Sequence, residues 1–103
     1  MAYLSDNFMS HRRQQWLRSI YSVEVQVGGV WHRGDFNQKE IDGDTLVIKA
    51  TFPTLDAVDC TITASRIVDV RGEVAAYQQR LIHKNSGQGT MIKITIPIYE
   101  VTA

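Results

Sequence analysis

The sequence predicts a mainly β fold: an antiparallel β-sandwich, Ig-like or Greek-key, of about seven or eight short strands behind one N-terminal α-helix. Three observations lead there. From Tyr21 onward, apolar residues recur at every second position, which is the period of a strand with one buried face. Turn signals break the chain at short intervals: Gly28-Gly29, Asp42-Gly43, Arg71-Gly72 and the polar run 84–89. The closing segment, residues 90–99, sets Ile92, Ile94, Ile96 and Ile98 against polar neighbours and is the clearest strand in the chain.

Composition bounds what such a fold can be. At 103 residues the chain is one domain, with residues 1–20 helical and residues 21–101 the sandwich. That length buries a core without disulfide or metal staples. Hydrophobic residues at 44% and charged residues at 21% argue against disorder. Eleven basic and eleven acidic side chains cancel, whereas a free-standing nucleic-acid binder usually carries a basic excess. Neutrality also lowers the repulsion between copies, which suits a subunit of an assembly. The single cysteine, Cys60, cannot make an internal disulfide and reads as a small apolar core residue. No apolar run approaches the ~20 residues of a membrane span, and no signal peptide is recognisable. The expected location is the cytoplasm until assembly.

Residues 6–18 read as the helix. Ser5 or Asp6 can cap it, Leu4 can staple onto Phe8, and Arg12, Arg13 and Arg18 favour its C-terminal half. Its apolar stripe of Leu4, Phe8, Trp16, Leu17 and Ile20 is thin, so three readings stay open: packing on its own sheet, docking on a neighbouring subunit, or a mobile tail. The first strand points Val23, Val25 and Val27 one way and Ser22, Glu24 and Gln26 the other. Gly28-Gly29 suits a tight hairpin, with residues 30–36 as the return strand.

After Lys39 to Ile41, Asp42-Gly43 signals a second hairpin into residues 45–52. There Leu46, Ile48, Ala50 and Phe52 point inward, and Val47, Lys49 and Thr51 outward. Pro53 ends this strand, residues 54–59 form a loop, and Leu55 is a candidate to pin that loop to the core. Val58, Cys60 and Ile62 share a face of the next strand, which meets a bulge or a change of sheet near Ala64-Ser65. Residues 74–82 alternate only weakly, so a break is expected near Gln78-Gln79. The four isoleucines of the last strand are expected at the middle of the core, with Pro97 marking an edge or a bulge.

Chemistry-bearing constellations are absent from the pattern. The loop 84–90 has the glycines of a phosphate cradle but leads into a strand, not a helix, so it reads as a flexible hairpin loop. His11, His32 and His83 lie in separate segments without metal-ligand spacing and are expected to face solvent. Asp42 with Asp44, and Asp56 with Asp59, sit in turns, where aspartate bonds its own backbone. No serine or cysteine has a local base. No catalytic, cofactor-binding or metal-binding residue is assigned. Trp16, Trp31, Tyr77 and Tyr99 are the candidates for an aromatic platform, although aromatics in a small β domain are more often core or strand-pair residues.

Residues 62–69, Gly72-Glu73-Val74, the run 84–89 and the closing segment through Val101, together with Trp31-His32 and the Asp42-Gly43 turn, resemble small proteins of tail and baseplate modules in prophages of Gram-positive bacteria. The arrangement is similar to the N-terminal β-sandwich of upper baseplate proteins. The N-terminal helix lies outside this likeness. The resemblance implies a non-enzymatic structural protein without cofactors. Such a protein would form homo-oligomers and contact other tail or baseplate proteins, but neither nucleic acid nor membrane. It would be found in the host cytoplasm during assembly and then in the virion. The residues expected at partner contacts are Phe8, Trp16, Leu17, Trp31, Asn85 and Gln88. The alternative function is a small carbohydrate- or ligand-binding sandwich module that would use Trp31 or Tyr77.

Overall fold

A computed structural model describes residues 3–99. Glu100 and Val101, the sequence-based end of the sandwich and of the resemblance, lie outside the described residues. One helix, α1 (Asp6–Ser19), precedes seven strands: β1 (Ile20–Val27), β2 (Val30–Arg33), β3 (Asp35–Asp42), β4 (Thr45–Thr51), β5 (Cys60–Asp69), β6 (Val74–Lys84) and β7 (Met91–Pro97). They form two antiparallel sheets, one ordered β2-β1-β5-β6 and the other β3-β4-β7.

The helix starts as its sequence dictates. Ser5 is the cap: its Oγ accepts from the Phe8 N–H at 3.2 Å, while Asp6 occupies the first turn, where a carboxylate suits the dipole. Its inner stripe is not the expected one. Met9, Arg13 and Leu17, spaced four apart, are the half-buried positions, and Leu17 packs on the core. The Arg13 guanidinium donates to the Ile98 carbonyl at 2.9 Å. The helix therefore lies on its own sheets, yet it turns Phe8 (42% exposed) and Trp16 (54% exposed) outward.

Both hairpin signals hold. Val27 pairs with Val30 across Gly28-Gly29, whose φ angles of 58° and 79° are the positive pair that a type I′ turn demands. The second hairpin places Gly43, φ 63°, at its first loop position, between the paired Asp42 and Thr45.

The expected return strand 30–36 is divided. At Gly34 the chain leaves the four-stranded sheet and enters the three-stranded one, so β2 and β3 share one side of the sandwich. The Gly34 N–H donates to the Val23 carbonyl at 2.9 Å, which holds the crossing point against β1.

The core is Val23, Val25, Leu46, Ile48, Ala50, Phe52, Leu55, Ile62, Ile67 and Ile92, with Ile20. Leu55 is pinned as expected, by the 3-10 turn Pro53–Leu55. Other positions differ. Val47 is buried although its neighbours in sequence, Leu46 and Ile48, hold the core face. Cys60 is only half-buried and Val58 is exposed, because β5 begins at the rim, where Cys60 pairs with Lys84. The irregularity in β5 is a bulge at Thr63: Val27 pairs with Ile62 and Gln26 with Ala64, so one residue is extra. β6 shows no break at Gln78-Gln79; it runs unbroken for eleven residues, with a register shift between Ile82 and Gln79. Of the four isoleucines, only Ile92 is buried, while Ile94, Ile96 and Ile98 are half-buried because β7 is an edge strand that ends in Pro97.

Ser22 gives one testable consequence. Its side chain is buried and its Oγ has no hydrogen-bond partner among the described residues. Ser22→Ala removes a desolvated hydroxyl without removing a bond. The expected result is unchanged stability or a gain of up to about 1 kcal/mol in urea unfolding. A clear loss would show that the hydroxyl is satisfied.

The β5–β6 turn is organised by Asp69. Its carboxylate accepts from the N–H groups of Arg71 (2.9 Å) and Glu73 (3.0 Å) and from the Arg71 guanidinium, around Gly72 at φ 82°. The Glu73 N–H is the main reason that the Asp69 pKa lies below its ordinary value; desolvation opposes it, and the Arg71 contacts add to the lowering. Asp69 thus contributes stability above its unfolded pKa of about 3.9, and that contribution is lost as pH falls through the lower folded value. Asp69→Asn is expected to flatten this part of the acid limb of the stability–pH profile. An acid limb that does not change would remove the carboxylate from the account.

Candidate functional site

β2 and β3 close one side of the sandwich; the other side stays open. There β6, the edge of one sheet, and β7, the edge of the other, leave a groove between them. It is lined by Ser65, Ile67, Ala76, Gln78 and Arg80 on one wall and Ile94 on the other, with a volume of about 260 Å³. It continues past Ile67 and Ala76 into a hollow of about 450 Å³ beside Trp16 and Ile96. From there it reaches Ile98 and Tyr99. This trough explains the half-buried isoleucines: they face inward, but the four-stranded sheet does not cover them.

Polar groups sit at one end. Arg80 donates from Nε to Ser65 Oγ at 2.9 Å and from its terminal nitrogen to Gln78 Oε1 at 3.0 Å. No ion pair to Arg80 occurs among the described residues. Its guanidinium is held by neutral partners and is oriented along the groove wall.

The outer face of the four-stranded sheet carries a second cluster. Arg33, Glu24, Arg66 and Tyr77 form a cross-strand row, in the register given by the three strand pairs. Arg66 bonds Glu24 at 2.7 Å and stacks 4.0 Å from the centroid of Trp31. Trp31 and Tyr77 meet edge to face at 6.3 Å. The four candidate platform aromatics therefore split into two pairs: Trp31 with Tyr77 here, and Trp16 near Tyr99 at the end of the trough. Arg66 already covers one face of the Trp31 ring, which reduces the flat surface open to a sugar.

The remaining expected contact residues lie apart from both clusters. Asn85 and Gln88 are exposed, but each bonds the other: the Asn85 N–H donates to Gln88 Oε1 at 2.8 Å, and the Gln88 N–H donates to the Asn85 carbonyl at 3.1 Å. Their loop is tied down rather than a free hairpin. Ser86 N–H donates to the Asp59 carboxylate, Ser86 Oγ donates to the Ala57 carbonyl, and the Gly87 N–H donates to the Asp56 carbonyl at 2.7 Å. Beneath it, Lys84 is buried, with its ammonium on the carbonyls of Leu55, Val58 and Asn85. Asp56 and Asp59 act as loop ties in this arrangement. His11 and His83 are exposed and His32 is half-buried. No group of three or more potential metal ligands converges among the described residues. No helix there is long and apolar enough to cross a membrane.

Apart from Trp16, the residues that line the trough and the flank of β6 are not among the expected contact residues. Their signal in the sequence is the weak alternation of residues 74–82, which reflects a strand exposed on both faces. No family model, no curated protein and no solved structure matches the chain.

Proposed function

We propose that this chain is a non-enzymatic structural protein, a tail or baseplate component of a phage or prophage, that acts through protein–protein contacts. One observation supports it above the rest. The sandwich is open along β6 and β7, and that side exposes apolar surface from Trp16 through Ile96 to Tyr99. Exposed apolar ground of this kind, beside unpaired strand edges, is the usual ground of subunit contact. The overall balance of eleven positive and eleven negative side chains places no net repulsion between copies. The partners on this reading are other copies of the chain and neighbouring tail or baseplate proteins, with neither nucleic acid nor membrane involved.

The test is the composition of particles. Virions or tail-like particles are purified from a strain that carries the gene, and their proteins are quantified by mass spectrometry. The expected result is this chain at a fixed stoichiometry to the major tail proteins. Its absence from intact particles, with the chain present in the lysate, would overturn the proposal.

A further inference from the structure

The four sheet edges are unequally guarded. An exposed edge offers a row of free N–H and C=O groups, and proteins blunt it with charge, proline, shortness or coverage. β2 is only four residues long and runs on through Gly34 into β3. β3 carries Asp35, Lys39, Glu40 and Asp42. β7 carries Lys93 and ends in Pro97. β6 is the longest strand, at eleven residues, and from Val74 to Gln79 it has no charge, proline or glycine. Every residue of that stretch is exposed. Farther on, Leu81 is 83% exposed on the same strand, the most exposed large apolar side chain of any of the seven strands.

β6 is also complementary to itself. Its midpoint is Gln79, so an antiparallel pairing about a two-fold axis through Gln79 overlaps the whole strand. In that register Tyr77 stands opposite the partner's Leu81, and Ala76 stands opposite the partner's Ile82. The faces agree. Tyr77 pairs with Arg66 on the outer face, and Leu81 follows it by two strand periods. Ala76 pairs with Ile67 and Ile82 with Ile62, both of which are core-facing. Charges do not collide either. Arg80 meets the partner's Gln78, as it meets Gln78 in its own chain, and His83 meets the partner's Ala75.

We propose that β6 is a self-pairing edge that joins two copies of this chain antiparallel about Gln79, merging their four-stranded sheets into one. The proposal rests on the assembly reading above and names the first contact in it.

The experiment uses the full chain with Cys60→Ser, so that only introduced thiols report. Gln79→Cys places a cysteine against its own copy at the axis. Directly opposed antiparallel residues lie about 4.5–5.5 Å apart at Cα, within disulfide range. The expected result is a covalent dimer on mild oxidation, while Glu40→Cys on the β3 edge stays monomeric under the same conditions. In parallel, light scattering compares the unaltered chain with Leu81→Lys, whose side chain is too exposed to matter for folding. The expected result is a dimer whose dissociation constant rises about tenfold or more in Leu81→Lys. The double variant Tyr77→Glu, Leu81→Lys should recover dimer affinity, because each glutamate then faces the partner's new lysine. An unaltered chain that stays monomeric at every concentration overturns the self-pairing. So does a dimer that ignores Leu81→Lys and crosslinks at Gln79→Cys no faster than at Glu40→Cys. Neither outcome touches the particle assay. Conversely, a chain that crosslinks at Gln79→Cys but is missing from particles sinks the tail reading and leaves the β6 pairing standing.

Discussion

Lys84→Met should destabilise the protein by about 2–4 kcal/mol, read as a lower urea midpoint with an unchanged m-value. Lys84 is 4% exposed, and its ammonium donates to three backbone carbonyls: Leu55 at 2.5 Å, Val58 at 2.8 Å and Asn85 at 3.2 Å. Bonds from a charged donor are worth roughly 1.5–3 kcal/mol each, although not additively. Methionine keeps the length and apolar stem, so it isolates the loss of the donors from the loss of packing. It also no longer buries a charge, which offsets part of the loss and sets the lower end of the range. The three carbonyls belong to two loops, residues 53–59 and 84–90, that otherwise meet through the Ser86 and Gly87 contacts. Their separation should appear as faster proteolysis near Ser86-Gly87 below the unfolding transition. Lys84→Arg should be intermediate, since a planar fork cannot converge on three carbonyls as an ammonium does. A loss below about 0.5 kcal/mol in Lys84→Met would mean that water replaces the ammonium at little cost, and the loop–loop clamp would have to be abandoned.

The sequence showed the fold where local chemistry decides it, and lost it where tertiary context does. Ser5 caps the helix, Gly28-Gly29 makes its hairpin, and Leu46, Ile48, Ala50 and Phe52 fill the core, because each rests on a local rule of capping, turn conformation or alternation. Gly34 is not marked as a crossing point: residues 30–36 read as one return strand, and the close packing of Phe52 and the Thr51 carbonyl against Gly34 is visible only in the structure. Ile94, Ile96 and Ile98 alternate as perfectly as any core strand, yet periodicity reports which face a residue takes and not whether that face is covered. The same limit hid the candidate site. Phe8 and Trp16 could be flagged by residue type, but the trough beside Trp16 depends on the sheet order that brings β6 and β7 to one side. Lys84 reads as the first residue of a flexible hairpin loop, and nothing in its neighbours announces three carbonyls from residues 26 and 29 positions away and from its own successor.

Gly34→Ala should cost about 1–3 kcal/mol, the usual penalty for overfilling a packed site. A Cβ there would meet Phe52 Cε1 at 2.7 Å, Phe52 Cζ at 2.8 Å and the Thr51 carbonyl at 2.9 Å. The required φ is one that any residue adopts, because Gly34 is not among the positive-φ glycines. The cost is therefore steric, and not a matter of backbone strain. Phe52 is fully buried and Thr51 belongs to β4, paired with Asp35 on one side and Met91 on the other, so neither can retreat freely. That reasoning makes the origin of the cost testable by a double-mutant cycle. Phe52→Leu alone removes ring atoms from the core and should destabilise through the cavity it leaves. Combined with Gly34→Ala, it also removes the atoms that the new methyl strikes. The pair should then lose less than the sum of the two, by about 0.5–2 kcal/mol. Strict additivity would leave the Thr51 carbonyl as the source of the clash. The crossing between the sheets would then be limited by backbone against backbone, and no change at Phe52 could open it to a larger residue.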